Sequence, residues 1–105
     1  MSSPLTLVAI LTVRMDALAS FREFETHAAR IMARYGGRME RAVVVAQAGE
    51  PETIKEIHVV TSPGQDAFAA YRGDGELAQF AHLRAEAVLH SEVLVGVDGP
   101  DYAAG

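Results

Sequence analysis

The strands that this sequence predicts are apolar on both faces, and this feature limits what the chain can fold into. Three short segments are continuous apolar runs rather than alternating ones: Leu7-Val8-Ala9-Ile10-Leu11, Val43-Val44-Val45 and Val93-Leu94-Val95. A strand of this kind is buried on both sides. The helices of a chain this short can cover one face of a sheet, so the other face needs a further cover. The pattern therefore predicts an oligomer, with an interface or a chamber on the far side of the sheet.

The order of the predicted elements indicates the architecture. Strands are expected over 5–13, 38–47, 54–61 and 92–98. Helical segments are expected over 16–35, 63–72 and 76–90. The second and third strands are joined by a short, turn-rich connection, so they must be antiparallel. The order βαββαβ, with the second helix split in two, predicts an α+β, ferredoxin-like plait with a four-stranded antiparallel sheet, in a single domain over 1–105.

Capping residues support several of these boundaries. Asp16 is a good N-cap for the first helix, and the Gly36-Gly37 pair can end it. Ser62 precedes a proline and fits a capping box at the start of the second helix. Asp74 follows a glycine and can cap the third helical segment.

Alternation along the strands predicts which side chains share a face. On the first strand, the set Leu5, Leu7, Ala9 and Leu11 opposes the set Thr6, Val8, Ile10 and Thr12. On the third strand, the mixed set Ile54, Glu56, His58 and Val60 opposes Ile57 and Val59. We expect the mixed set on the face that the helices leave bare. On the second strand, Arg38 and Arg41 are expected on opposite faces because their separation is odd.

Charge and composition exclude several classes of function. The net charge of −5 and the lack of a basic cluster argue against a nucleic-acid partner. The chain has no cysteine, which removes disulfides, thiolate metal sites and thiol nucleophiles. It contains neither a signal-peptide pattern nor the roughly 20 apolar residues that span a bilayer. We therefore expect a cytoplasmic protein with no membrane partner.

Several stretches carry a family resemblance. They are 35–38 (YGGR), 56–63 (EIHVVTSP) leading into 68–72 (FAAYR), and 92–96 (EVLVG). On these residues the chain resembles the dimeric α+β barrel superfamily, in which two plaits stack sheet to sheet. Within it, the chain is similar to a small bacterial family of unknown function related to the antibiotic biosynthesis monooxygenases. The resemblance implies a homodimer, with ligands between sheet and helices or inside the barrel.

The activities known in that superfamily are varied. They include monooxygenases that oxidise aromatic polyketides without a metal or bound cofactor, haem-degrading enzymes, and isomerases of small lactones. The monooxygenase and haem-degrading branches use tryptophan and asparagine in their pockets, and this chain contains neither residue. The resemblance therefore transfers no catalytic residue, and we predict no cofactor.

The candidate catalytic residues are Glu56 and His58. They lie two apart on one strand and so point to the same face. If that face lines a chamber, the carboxylate can orient the imidazole and the two can act as a general acid–base couple. The alternative is a structural pair at the barrel edge, or a salt link to Arg38 or Arg41 on the neighbouring strand.

The candidate ligand-binding residues are Tyr71, Arg72 and Arg38. Tyr71 can donate a phenolic hydrogen bond into a pocket, and an arginine can hold a carboxylate. The alternatives are packing of Tyr71 with Phe68, which lies at core spacing, and simple solvation of Arg72.

Two further groups of histidines are expected to be structural. His82, Glu86 and His90 are spaced four apart on a predicted helix, but the outer two are about 12 Å apart along its axis, so the three cannot bind one metal ion. We predict an exposed ion-pair ladder and no metal site. His27 is expected to form a surface pair with Glu23.

Two hypotheses for function follow from these features. The first is a small cofactor-independent enzyme that acts on a hydrophobic or aromatic metabolite. The second is a non-catalytic module for ligand binding or assembly, in which the bare face serves only to seal a dimer. A solvent-connected cavity beside Glu56 and His58, of at least the ~300 Å³ typical of ligand pockets, favours the first.

Overall fold

The computed structural model describes residues 3–46 and 50–104. Its strands are β1 (Leu5–Arg14), β2 (Arg38–Ala46), β3 (Thr53–Ser62) and β4 (Val88–Gly96). Its helices are α1 (Leu18–Ala33), α2 (Gln65–Arg72), α3 (Gly75–Gln79) and α4 (Ala81–Ala87), with 3₁₀ turns at Met15–Ala17 and Tyr102–Ala104. The predicted end of the second strand at Gln47 lies outside the described residues.

The strands form one antiparallel sheet in the order β2-β3-β1-β4. The helices pack on one face of this sheet, which makes a two-layer molecule about 17 Å thick along its shortest axis. The predicted α+β, ferredoxin-like architecture is therefore confirmed. In the part of the chain that the structure describes, no helix is long and apolar enough to cross a membrane.

Alternate residues of β1 and β3 build the core under the helices. One cluster joins Leu11 and Val13 of β1 to Ile54 of β3 and to Phe21 of α1. A second cluster, towards the other end of the sheet, consists of Leu7, Met32 and Val60, with Met39, Phe68 and Tyr71 packed against it. Burial of a side chain of this size contributes roughly 1.5–3 kcal/mol, so these two clusters hold α1 and α2 against the sheet.

The helix boundaries differ from the prediction at three places. Asp16 lies in the 3₁₀ turn and accepts a 2.9 Å bond from Arg14, while Ala17 takes the N-cap position of α1. Ser62 ends β3 and donates to the carbonyl of Gly64, so α2 begins later, at Gln65. The last helix stops at Ala87 because Val88 already pairs with β1. Asp74 caps α3 as predicted, accepting from the amides of Glu76 and Leu77.

A bulge in β2 changes the predicted faces of two arginines. Arg38 pairs with Thr61 and Arg41 pairs with Val59, so three steps along β2 match two along β3 and Glu40 is the extra residue. The two partners on β3 are themselves two apart. Arg38 and Arg41 therefore occupy the same face, the one opposite the helices, and the prediction of opposite faces is wrong.

The face opposite the helices is apolar at its centre. We call it the bare face; it contains Val8 and Ile10 of β1, Ile57 and Val59 of β3, Val43 and Val45 of β2, and Leu94 of β4. Threonines and four charged residues, Arg38, Arg41, Lys55 and Glu92, surround this apolar centre on the same face. Lys55 donates a 3.1 Å bond to Thr12. Strand β4 is half-exposed on both of its sides, as Leu94 and Val95 show. The described residues thus leave a continuous apolar surface without a cover.

Gly36 is the residue that turns the chain from α1 into β2, and we predict that its replacement is costly. Its φ is +76°, and an added Cβ would lie 2.8 Å from Cγ of Pro63. We expect Gly36→Ala to lower the free energy of unfolding by about 1–2 kcal/mol, because the left-handed backbone disfavours a side chain. Urea unfolding with an unchanged m-value measures the loss.

The matched control is Gly75→Ala, at a position where an added Cβ meets nothing within 4 Å. This variant should unfold at the wild-type midpoint or slightly above it. Equal midpoints for the two variants would contradict the role given to Gly36.

Candidate functional site

Glu56 and His58 face the helices, not the bare face as the sequence predicts. Glu56 pairs with Leu11 of β1 and His58 pairs with Ala9, and cross-strand partners share a face. Leu11 belongs to the core cluster under α1, so the two polar side chains are carried into the same layer. The alternation along β3 is as predicted, but its buried polar members point inward because they have partners there.

The imidazole of His58 is held by the carboxylate of Glu56. Nε2 of His58 lies 2.9 Å from Oε1 of Glu56, and the two side chains are 4% and 11% exposed. The ring also stacks on Phe21 at a centroid distance of 6.2 Å. Because an ionised carboxylate only accepts, Nε2 is the donor in this bond, and Nδ1 is the ring nitrogen that Glu56 does not contact. The salt links to Arg38 or Arg41 that the sequence leaves open are not among the contacts of the described residues.

Glu25 of α1 is a third member of this group, which sequence reasoning misses. Its Oε2 lies 3.8 Å from Nδ1 of His58, on the side away from Glu56. Burial raises the pKa of the Glu25 carboxyl above its ordinary value; electrostatic interactions with His58 and Arg84 oppose this, and the interaction with Glu56 adds to it. The Glu25 side chain is 20% exposed, so it is the more accessible of the two partners of His58.

A pattern in the sequence could have revealed Glu25. The inward stripe of α1 contains Leu18 and Met32, which lie seven residues before and seven after it. Positions seven apart share a helix face. Glu25 is the one charged residue in an otherwise apolar stripe. A charged residue on the buried face of a helix, with no oppositely charged neighbour on that face, is a candidate for a functional role.

These side chains line a cleft between α1 and the outer half of the sheet. It is a shallow depression that is widely open to solvent, with a volume of about 440 Å³; this volume alone is within the ~300–1,000 Å³ of small-molecule sites. Apolar contributions come from Ala29, Met39 and Val44, and polar ones from Arg22 and Thr26. Glu25, Glu56 and His58 line it too. The cleft therefore combines apolar walls with an acid–base group.

The structure does not bring the predicted ligand-binding residues into this cleft. Tyr71 packs in the second core cluster, beside a residual cavity of only about 10 Å³. The guanidinium of Arg72 lies 5.6 Å above the ring of Phe68. Arg38 is on the bare face, with its Nε 3.8 Å from Glu40. Tyr71 is nevertheless close enough to the site that the pKa of its phenol, which burial raises, is raised further by the charge of Glu25.

The other histidines do not line this cleft. His90 lies in β4 and not on the helix of His82 and Glu86, so the predicted three-residue ladder does not form. His27 stacks on Phe80 with ring centroids 3.8 Å apart, rather than forming a pair with Glu23. Over residues 3–46 and 50–104, no group of His, Asp and Glu side chains is arranged to hold a metal ion.

Solved structures share this architecture. SnoaB from Streptomyces nogalater, a cofactor-independent oxygenase, matches 96% of this chain and 98% of its own with a TM-score of 0.69 and 16% identity. The RPA0582 protein of unknown function from Rhodopseudomonas palustris matches 96% and 86% with a TM-score of 0.79 and 13% identity. A protein from Caulobacter crescentus, proposed to be an antibiotic biosynthesis monooxygenase, matches 94% and 92% with a TM-score of 0.68 and 13% identity.

This chain has the fold of the antibiotic biosynthesis monooxygenase-like proteins. The resemblance predicted from the sequence is confirmed at that level. No protein-family model matches the sequence, and no curated protein matches it. At these identities the comparison establishes the shared fold.

Tyr71 supplies a prediction for alkaline solution. Burial raises the pKa of its phenol to about 12, with the Glu25 charge adding to the effect, whereas an unfolded tyrosine ionises near about pH 10. Between these values the unfolded chain has lost the proton that the folded chain keeps, so stability falls as the pH rises from about 10 through 12. Thermal unfolding of Tyr71→Phe should therefore depend less on pH in this range.

Tyr102→Phe is the matched control, because Tyr102 is 87% exposed. It should retain the wild-type pH dependence of unfolding. An identical alkaline profile for Tyr71→Phe and the wild type would contradict a buried, neutral phenol.

Proposed function

We propose that this protein is a homodimeric, cofactor-independent enzyme that removes an acidic proton from a small hydrophobic or aromatic metabolite and thereby prepares it for oxidation. The observation that carries the proposal is the 2.9 Å bond between His58 Nε2 and Glu56 at the cleft of about 440 Å³. Glu56 orients the ring and stabilises the imidazolium that forms. The substrate proton ends on Nδ1 of His58.

The apolar part of the cleft defines the class of substrate. Ala29, Met39 and Val44 offer surface to a flat hydrocarbon or aromatic ring system. Such a skeleton also stabilises the carbanion or phenolate left behind when the proton departs. The acid–base group and the apolar wall thus favour the same kind of molecule.

Likeness to SnoaB supports oxidation as the subsequent reaction, since that protein is a cofactor-independent oxygenase. In such chemistry the deprotonated substrate itself supplies electrons to dioxygen. For a ring CH₂ group the balance is simple: CH₂ and O₂ give C=O and H₂O. The residues of this chain supply the deprotonation, through His58 and Glu56, without the asparagine and tryptophan that the sequence lacks.

Anthrone, an aromatic ketone with an acidic ring CH₂, is a suitable probe. We expect the wild-type protein to accelerate oxygen uptake by anthrone, measured with an oxygen electrode. His58→Gln and Glu56→Gln should each lower kcat by roughly 10²–10⁴-fold, because they remove the base or its orienting carboxylate. Both replacements keep a polar side chain of similar size in the buried layer.

His82→Gln is the matched control, since His82 lies on α4, is not among the residues that line the cleft, and has its Nδ1 3.2 Å from the carbonyl oxygen of Gln79. It should turn over anthrone at the wild-type rate. Retained turnover in His58→Gln would contradict the proposed base. Tight anthrone binding by the wild type without oxygen uptake would favour the alternative, a non-catalytic ligand-binding module.

The bare face supports the homodimer. Its centre combines valines, isoleucines and a leucine from all four strands. Surfaces of this kind are rarely left in water, where each Å² of apolar area costs about 25 cal/mol. A second copy that stacks its own bare face on this one would cover both.

Adjacent valines on β2 allow a sharp measurement of this dimer. Val43 pairs with Ile57 on the bare face, whereas Val44 pairs with Glu56 on the helix face and is 52% exposed. Light scattering of the wild type should give twice the 11.2 kDa chain mass. Val43→Lys should reduce this mass towards that of one chain, because a charge would be buried between the sheets.

Val44→Lys introduces the same charge one residue later and should leave the dimer mass unchanged. A wild-type monomer, or equal effects of the two lysines, would contradict the sheet-to-sheet arrangement.

A further inference from the structure

The burial of His58 raises a question about how a proton reaches it. Its side chain is 4% exposed, and one of its nitrogens is occupied by Glu56. The free nitrogen, Nδ1, faces Glu25 at 3.8 Å. Glu25 also lines the cleft and is five times as exposed, at 20%. A substrate in the cleft therefore meets the Glu25 carboxylate before it meets the imidazole.

We propose that Glu25 is a catalytic residue that takes the proton directly from the substrate and passes it to His58. This inference rests on the function proposed above and adds the residue that contacts the substrate. In the first step the substrate C–H or O–H bond breaks, its electron pair stays on the substrate, and an O–H bond forms on Glu25. In the second step Oε2 of Glu25 and Nδ1 of His58, 3.8 Å apart in this structure, approach to hydrogen-bond distance. The O–H bond on Glu25 then breaks and an N–H bond forms at Nδ1.

The surroundings of Glu25 suit this role. Burial, the first cause of its raised pKa, makes the carboxylate a stronger base than an exposed glutamate. Four titratable or charged groups act on it from three sides: Glu56 and His58 on β3, Tyr71 on α2 and Arg84 on α4. After transfer, the imidazolium lies between two carboxylates, an arrangement that stabilises its charge.

The same charges define the substrate more closely. Glu25 and Glu56 repel an anion at the reacting end of the cleft, so we expect the group that gives up the proton to be uncharged. A neutral carbon or oxygen acid, such as the CH₂ next to an aromatic ketone or a phenol, fits this end. Arg22 also lines the cleft, so an anionic group elsewhere on the substrate is compatible with it.

Hydrogen exchange isolates the proposed step from oxidation. Anthrone is incubated with the protein in D₂O without oxygen, and deuterium entering its CH₂ group is followed by mass spectrometry. We expect the wild type to accelerate exchange above the buffer rate, and Glu25→Gln to lower this acceleration by roughly 10²–10⁴-fold. Glu25→Asp, which keeps a carboxylate, should retain part of it.

Glu23→Gln is the matched control, with the same replacement on the exposed side of α1. It should exchange anthrone at the wild-type rate. If Glu25→Gln also does so while His58→Gln does not, the substrate gives its proton to His58 directly; this inference is then wrong and the proposed function stands. If the wild type accelerates neither exchange nor oxygen uptake, both are wrong.

A readout independent of turnover comes from the stability of Glu25→Gln. A carboxyl whose pKa is raised in the folded state lowers stability as the pH rises through that pKa. Glu25→Gln removes this loss, so its melting temperature at neutral pH should exceed that of the wild type and of Glu23→Gln. A lower melting temperature for Glu25→Gln would show a structural role and overturn the inference.

Discussion

The hydrogen bond between His58 and Glu56 is the interaction on which the helix–sheet layer depends. Two ionisable side chains lie among leucine and phenylalanine, and an unpaired polar group there costs several kcal/mol. Each satisfies the other at 2.9 Å, and none of the described buried side-chain polar atoms lacks a partner. With this pair in place, β3 can present an unbroken buried row to α1. Removing one partner leaves the other buried alone.

Glu25, unlike the His58–Glu56 pair, has no hydrogen-bond partner among the side-chain contacts of the described residues that would offset the cost of its burial. Helix α1 carries it to the sheet-facing side, where its side chain remains 20% exposed. Its burial works against the charge it carries. Proteins retain such groups where chemistry needs them, and stability is lower as a result. The cleft is lined on the β2 side by Met39 and Val44 and on the α1 side by Arg22, Glu25, Thr26 and Ala29.

How far the sequence predicts this molecule differs between its parts. Strand and helix order, the antiparallel sheet and the cap at Asp74 follow from periodicity and short-range chemistry, and the structure agrees. The side of the sheet taken by Glu56 and His58 was not predictable from alternation, because alternation separates two faces without saying which one the helices cover. Glu56 and His58 satisfy each other on either face, so their own pairing does not select one, and Glu25, which lies beside them, comes from a helix distant in sequence.

The bulge in β2 illustrates the same limit. The residue types at 38–41 do not indicate that Glu40 is an extra residue in the strand. Strict alternation along β2 therefore predicts that Arg38 and Arg41 lie on opposite faces, whereas the bulge places them on the same face. The bulge is a property of the pair of strands and not of one segment. Likewise, Val88 and Leu89 fit the end of a helix as well as the start of a strand, and the ladder with β1 selects the strand.

That bulge also determines which side chains of β2 lie on the bare face and which lie on the face that the helices cover. Beyond it, β2 carries apolar side chains on both sides, with Val43 and Val45 on one and Val44 on the other. The burial of apolar side chains stabilises the two possible registers of such a strand almost equally, because a slip by one residue replaces valine by valine on each face. What distinguishes the two registers is the single residue inserted at Glu40 together with Arg41, which a slip would turn into the cleft. The separation between the cleft and the bare face thus depends on one unpaired residue in the edge strand of the sheet.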